Sequence, residues 1–315
     1  MTGAVRSAGA VRSSGAGWGL IIDALIGDPP TPFHPVAWFG RLAGAVESRT
    51  YGDRRTAGAV HAASLVGGAA VVGRLLRSTA PAVAVSSSGR TLAVKAREVA
   101  MQVHAGNLAA ARETLPWLVG RDPGALDPAG ICRAAVESVA ENSVDAVVAP
   151  WWWAIVAGSP GVAAHRAANT LDAMVGHHND RFESFGWASA RLDDVMAYVP
   201  ARLTALAVMA VRPTRAHEVL ATIGRDGGLH PSPNAGVAES AWAAVLDVSL
   251  GGPLIYDGEM QDRPWLGSGR RDVTPYDVIA ATRLLRDVEL ALVATSFALS
   301  RWSRRNPTPS APARR

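Results

Sequence analysis

The sequence predicts an all-α fold, a polytopic helical membrane protein with polar helical and loop segments between its spans. Three observations predict it. Hydrophobic residues make up 49% of the chain and charged ones 18%, where soluble domains carry roughly 25% charge. Mean hydropathy is positive at +0.12. Five stretches are apolar enough to weigh against the roughly 20 residues that cross a bilayer, and no alternation is long enough for a sheet.

Residues 1–16 read as a disordered leader, with Arg6 and Arg12 ahead of an apolar stretch at 18–27. The arrangement imitates a secretory signal. Asp23 interrupts it, however, Asp28-Pro29-Pro30 follows, and no small-residue cleavage site is present, so the stretch reads as a retained first helix. The second stretch, 57–76, is rich in Ala, Gly and Val, residues that let helices approach closely in lipid. The third, 146–164, carries no charge and contains Trp151, Trp152 and Trp153, which suit either a membrane interface or a packed core. The fourth and fifth, 195–211 and 288–299, are short enough to serve as buried helices instead.

The segments between them are polar and ordered. Leu92, Val99, Val103 and Leu108 fall at helical spacing within 90–118, and one helix is expected near 238–246 between loops dense in Gly and Pro. The tail, 306–315, reads as disordered. Together these give one catalytic domain over 17–305.

Charge narrows the partners. Lys95 is the only lysine among 31 basic residues, and arginine favours bidentate contact with carboxylate and phosphate. The arginines are scattered and form no basic block with interleaved aromatics, which argues against nucleic acid. Cys132 is the only cysteine. No intrachain disulfide is possible, and a reducing, cytoplasm-facing active site is the natural reading.

Candidate chemistry gathers in four places. Arg133, Glu137, Glu141 and Asp145 recur every four residues, each step advancing about 40° round a helix, so they share one face. That stripe is compatible with a solvated face or with a functional one. Asn169 and Asp172 also share a face, followed by His177, His178, Asn179 and Asp180. The histidines are adjacent and cannot point the same way, so a two-histidine metal site is absent. Arg191, Asp193 and Asp194 stand ahead of the fourth stretch, and adjacent aspartates suit Mg²⁺. Two rigid loops each carry an aspartate and then His-Pro: Asp28 with His34-Pro35, and Asp226 with His230-Pro231 and Asn234. A further turn, Gly120-Arg121-Asp122, could meet a phosphate.

Read together, these segments resemble the cobinamide-phosphate synthase family of cobalamin biosynthesis. The matching stretches are GDPPTPFHPVAWFGRL at 27–42, VGRD at 119–122, RAAVESVAENSVDAVVAP at 133–150, NTLDAMVGHHND at 169–180, FGWASARLDDVMAYVPARLTAL at 185–206 and DGGLHPSPNAG at 226–236. Departures from the family's usual pattern fall at Ala173, His177, Trp151 to Trp153 and Ala238, and none removes a carboxylate from a motif.

The resemblance implies a multi-pass enzyme of the cell membrane. It would amidate adenosylcobyric acid with (R)-1-aminopropan-2-ol or its O-phosphate, using ATP as co-substrate and Mg²⁺. On that reading Glu137, Glu141, Asp172, Asp193 and Asp194 hold the metal. Glu137, Glu141, Asp145, Asp172, His34 and His230 carry proton transfer. Asp28, Arg121, Asp122, Arg133, Asn142, Asn169, Asn179, Arg191, Arg202, Asp226 and Asn234 bind substrate or phosphate. The chain has no G-x-x-x-x-G-K-[ST] loop, so nucleotide use comes from the resemblance alone. The alternatives are a transporter whose carboxylates and Arg202 line a path, and a soluble helical hydrolase.

Overall fold

A computed structural model describes residues 2–120, 123–124, 126–177, 179–256, 259–261 and 263–306, with side chains left out of the description at 2–8 and 254–261. The helices are α1 (Thr2–Ile26), α2 (Pro35–Thr50), α3 (Arg55–Gly73), α4 (Thr79–Ser86), α5 (Gly89–His104), α6 (Leu108–Thr114), α7 (Pro128–Ser143), α8 (Ala149–Val175), α9 (Trp187–Val211), α10 (Ala216–Asp226) and α11 (Ala235–Leu246). Four short strands follow, β1 (Leu250–Gly251), β2 (Leu254–Tyr256), β3 (Glu259–Gln261) and β4 (Trp265–Leu266), and α12 (Pro275–Arg305) completes the order. The fold is all-α apart from two antiparallel ladders, β1 with β4 and β2 with β3.

Contacts divide the chain into two compact units. The first comprises Met1–Ser87, Ala149–Asp193 and Leu290–Arg315; the second comprises Ser88–Val148 and Asp194–Glu289.

In the first unit, small residues set the packing. A Cβ on Gly19 would meet Val83 and the Ala80 carbonyl, so α1 and α4 approach at backbone distance. α1 is helical from Thr2, and Ala10, Ser13 and Ala16 are buried within it. A run of Ala, Gly and Ser looks featureless in sequence, yet it supplies a smooth surface for a neighbouring helix. Ala43, Ala62, Leu65 and Leu171 form an apolar cluster with Phe39, Val46 and Met174 packed on it. α8 kinks at Gly158, where φ is 71°, with Pro160 just beyond. Proline removes a helical N–H and clashes with the preceding turn. Trp151 is buried, and its indole N–H donates to Ser296 Oγ at 2.8 Å; Trp152 and Trp153 are half-buried. One of the three therefore serves the core.

The second unit is built round α7, which is buried along most of its length. The Asp127 carboxylate caps it by accepting from Gly130 N–H at 2.7 Å, and Pro128 opens it, the order expected of a helix start. The helix at 90–118 appears as α5 and α6, and the one expected near 238–246 as α11.

Among the described residues, three helices are long and apolar enough to cross a membrane: Arg55–Gly73, Trp187–Val211, and a continuous helical stretch, Pro128–Val175. They cover the second, third and fourth of the five expected stretches. Val60, Val71, Val72, Val195 and Leu206 are exposed on them, as apolar side chains facing lipid would be. The chain is therefore expected to stay with membranes through an alkaline carbonate wash and leave only with detergent, followed by immunoblot. Release by carbonate alone would contradict a spanning helix.

Candidate active site

Within the second unit, α7, α11, the 230–231 turn and the segment at 263–266 enclose a cavity of about 280 Å³. Glu137, Glu141, Glu239, His230 and Arg263 bring its charge, with Ser138, Gly251 and the 118–120 backbone completing the wall. Ser138 Oγ donates to the Leu118 carbonyl at 2.7 Å, which draws that segment onto α7. Asn142 Nδ2 donates to the Ser138 carbonyl at 3.0 Å.

Glu137 is buried in an apolar helix, and a buried carboxylate needs donors. The Gly251 N–H donates to its Oε1 at 2.7 Å. Gly251 can do so because its φ of 76° is one that a side chain rarely adopts, and a Cβ there would press on the Pro264 carbonyl. The carboxylate thus fastens β1 to α7.

His230 is fixed by the proline after it. A residue before proline avoids the helical region, which leaves the ring free to fold back, and Nδ1 accepts from the Ser232 N–H at 3.0 Å. An accepting Nδ1 places the proton of the neutral ring on Nε2, which faces Glu239 Oε1 at 3.8 Å. Burial, reinforced by the positive charge of Arg263, lowers the His230 pKa below its ordinary 6.5 and keeps the ring neutral.

The first unit repeats this local geometry. His34 is extended at φ −77° and ψ 120° ahead of Pro35, and its Nδ1 accepts from Val36 N–H at 3.2 Å while capping α2. Its Nε2 faces Asp28 Oδ1 at 3.6 Å.

The stripe of four runs from an α-helix into a π-turn. α7 ends at Ser143 and a π-turn, Val144–Val148, follows. A π-turn adds a residue to the helical repeat; Asp145 lies within it, and of the stripe Glu137 and Glu141 line the cavity. Arg133 instead lies over the Trp265 ring at 5.0 Å, with Arg271 over the same ring at 4.4 Å.

Other expected binding residues hold loops. Arg202 donates to Asn234 Oδ1 at 2.9 Å and to the Pro233 carbonyl at 3.1 Å, and Asn234 Nδ2 donates to the Asp194 carbonyl at 2.8 Å. This clamps the 230–236 turn to α9. Asp226 accepts from Arg225 at 2.6 and 2.7 Å and from Gly267 N–H at 2.8 Å. In the first unit, Asn179 accepts from Arg181 N–H and Phe182 N–H, closing the turn after α8. Asn169 Oδ1 accepts from Arg166 at 3.2 Å. Arg191 is exposed on α9. Arg121, Asp122 and His178 lie outside the described residues.

The five expected metal ligands are divided, with Glu137, Glu141 and Asp194 in the second unit and Asp172 and Asp193 in the first. Among the described residues no group of three or more His, Cys, Asp or Glu could hold a metal ion. Mg²⁺ commonly takes one or two carboxylates with waters and substrate phosphates, and the oxygen donors round the cavity suit that sparse mode.

Sequence reasoning missed Glu239 and Arg263. Glu239 had a signal, being the only charge in α11. Arg263, isolated in a Pro-rich loop, had none.

Asp226 ties α10 to the 267 turn from a buried position, and its pKa is lowered first by the hydrogen bond from Arg225, against burial, and then by Gly267 N–H. A depressed carboxylate stabilises above its unfolded pKa and loses that contribution as pH falls through the folded one. Asp226→Ala should cost about 1–3 kcal/mol and flatten the acid side of a thermal-melt profile in detergent. An unchanged melt would contradict this role.

A model of the family described as CobD/Cbib protein matches residues 16–285. A relative from Mycobacterium tuberculosis strain CDC 1551, named Cobalamin biosynthesis protein CobD, is 45% identical over 272 residues, covering 82% of this chain and 87% of the relative. Proteins of the same name from Rhodobacter capsulatus and Klebsiella pneumoniae are 40% and 38% identical, over 84% and 89% of this chain and 90% and 93% of theirs. No solved structure matches the chain. With the family match covering most of its length and these identities beside it, the chain belongs to the CobD/Cbib family of cobalamin biosynthesis proteins.

Proposed function

We propose that this chain is an adenosylcobinamide-phosphate synthase, joining (R)-1-aminopropan-2-ol or its O-phosphate to the free propionate carboxylate of adenosylcobyric acid. It would act as an ATP-dependent ligase in the cell membrane, crossing it more than once. The observation that carries the reading is one cavity holding Glu137, Glu141 and Glu239 beside a neutral, tautomer-fixed His230 and a cation, Arg263. Membership of a cobalamin biosynthesis family supports the corrinoid substrate.

A carboxylate is a poor acyl donor until its oxygen becomes a leaving group. Phosphoryl transfer from ATP to that oxygen would give an acyl phosphate and ADP. The amine nitrogen then forms the C–N bond, the C–O bond to phosphate breaks, and one N–H proton must leave. Glu239 is placed to take that proton, and positioned transfer of this kind is typically worth about 10²- to 10⁴-fold. His230, with its proton on Nε2, donates to the developing oxyanion or relays to Glu239. Arg263 holds phosphate. Mg²⁺, when bound, would neutralise phosphate oxygens, with Glu137 and Glu141 as its protein ligands. His34 facing Asp28 is a further candidate proton carrier, and Asp145, Asp172, Asp193 and Asp194 retain their assigned roles only through the family resemblance.

The direct test incubates purified protein in detergent with adenosylcobyric acid, ATP, Mg²⁺ and each amine, then seeks the amide by mass. Glu239→Gln should lower kcat about 10²-fold or more. Glu137→Gln keeps an oxygen to accept the Gly251 N–H, so it should fold normally and still lose activity. Full activity in both variants would sink the cavity as the active site.

The acid side of the rate profile gives a second test. Because the His230 pKa is lowered, activity that needs the neutral ring should hold as pH falls through 6.5 and fail only at lower pH. Removing the nearby positive charge with Arg263→Gln should move that limb upward in pH. A limb that stays put, or moves down, counts against His230.

A further inference from the structure

The first unit contains two cavities that the proposed reaction does not use. One, about 640 Å³, is lined by Arg12, Arg74 and Arg77 together with Ser78, Thr79 and the Gly158 kink of α8. The other, about 550 Å³, is walled mainly by apolar side chains from α2, α3, α4 and α8, among them Trp38, Phe39, Leu65 and Val85, with Arg166 of α8 also in its wall. Leu76 lines both, and Gly73 of the apolar cavity immediately precedes Arg74 of the basic one. No carboxylate appears among the described residues lining either.

The guanidinium of Arg12 lies across Gly158 and donates to the Val156 carbonyl at 3.3 Å. Thr79 Oγ1 donates to the Arg12 carbonyl at 3.1 Å and Ser159 Oγ to the Ser78 carbonyl at 3.1 Å. These bonds hold the walls of the basic cavity together while Arg74 and Arg77 stay exposed. Three arginines facing one space call for an anion with several oxygens, and phosphate matches their fork geometry. Position then selects the kind of phosphate. α3 is long and apolar enough to cross a membrane and ends at Gly73, so Arg74 and Arg77 follow it directly at headgroup depth, with Val71, Val72 and Leu75 exposed beside them. Basic pockets at the ends of membrane helices bind anionic headgroups.

We propose that the first unit holds an anionic phospholipid, its phosphate on Arg12, Arg74 and Arg77 and an acyl chain in the adjoining apolar cavity. The two cavities, with Leu76 in the wall of each, fit an amphiphile with a charged head and apolar tail, and the apolar one alone falls in the roughly 300–1,000 Å³ range of ligand pockets. The proposal rests on reading α3 as a membrane span.

The full chain, delipidated in detergent, would be titrated with phosphatidylglycerol and with phosphatidylcholine and followed by native mass spectrometry. Phosphatidylglycerol should be retained preferentially. The double variant Arg74→Gln, Arg77→Gln should weaken that retention roughly 20- to 30-fold, the weight of two basic side chains beside anionic lipid. Leu76→Asn should weaken retention of the long-chain lipid more than that of a short-chain analogue. Inorganic phosphate at millimolar concentration should not displace the lipid; displacement would mark a small-anion site and overturn the proposal. Equal retention of both lipids, or a double variant that binds as wild type does, would also overturn it. A wild-type chain that resists carbonate washing yet shows no lipid preference defeats this site alone and leaves the spanning reading intact.

Discussion

A carboxylate sunk into a mostly buried helix must find donors inside the protein, and that requirement at Glu137 organises the second unit. α7 is buried along most of its length, and Glu137 sits at the cavity wall with little of its surface open to water. The Gly251 N–H is one such donor, at 2.7 Å, and only a glycine-compatible backbone can bring it there. Fastening β1 to α7 in turn brings β4 and the Arg263 loop over the cavity, since β1 pairs with β4. An unpaired buried charge would cost several kcal/mol. The short ladder is therefore a support for one acid more than a sheet in its own right.

The two units solve different problems with the same alphabet of small residues. In the first, glycine and alanine bring helices to backbone distance, leaving an apolar space and a rim of arginine. In the second, a few polar side chains are sunk into an apolar setting, and each is tied by a neighbour. Arg202 shows the difference from its sequence appearance. A lone arginine in an apolar helix looks like a substrate contact, but its bonds go to Asn234 and Pro233, so it positions the turn that carries His230.

How much was legible follows from how local each signal is. The spans at α3 and α9 show as long apolar runs, the helix at α5 as apolar residues at helical spacing and α11 as an apolar run between Gly- and Pro-rich loops, and such local signals survive tertiary packing. The His-Pro turns were legible too, because proline acts on its own neighbours. The π-turn was not: nothing in Val144 to Val148 marks the extra residue, and counting by fours runs straight through it. The packing of α1 was hidden for the opposite reason, since Gly and Ser weaken a helix in isolation and α4 is what gives Gly15 and Gly19 a close neighbour. Glu239 and Arg263 reach the cavity by long-range folding, which no spacing rule reports.

The turn at His230 also ties loop shape to ring charge. A second proton on the imidazole would sit on Nδ1, pointing at the Ser232 amide proton across a 3.0 Å gap that now joins an acceptor to a donor. Two donors cannot share that gap, so a charged ring and the closed turn exclude one another. Whatever charges His230 must also loosen the segment that Arg202 grips.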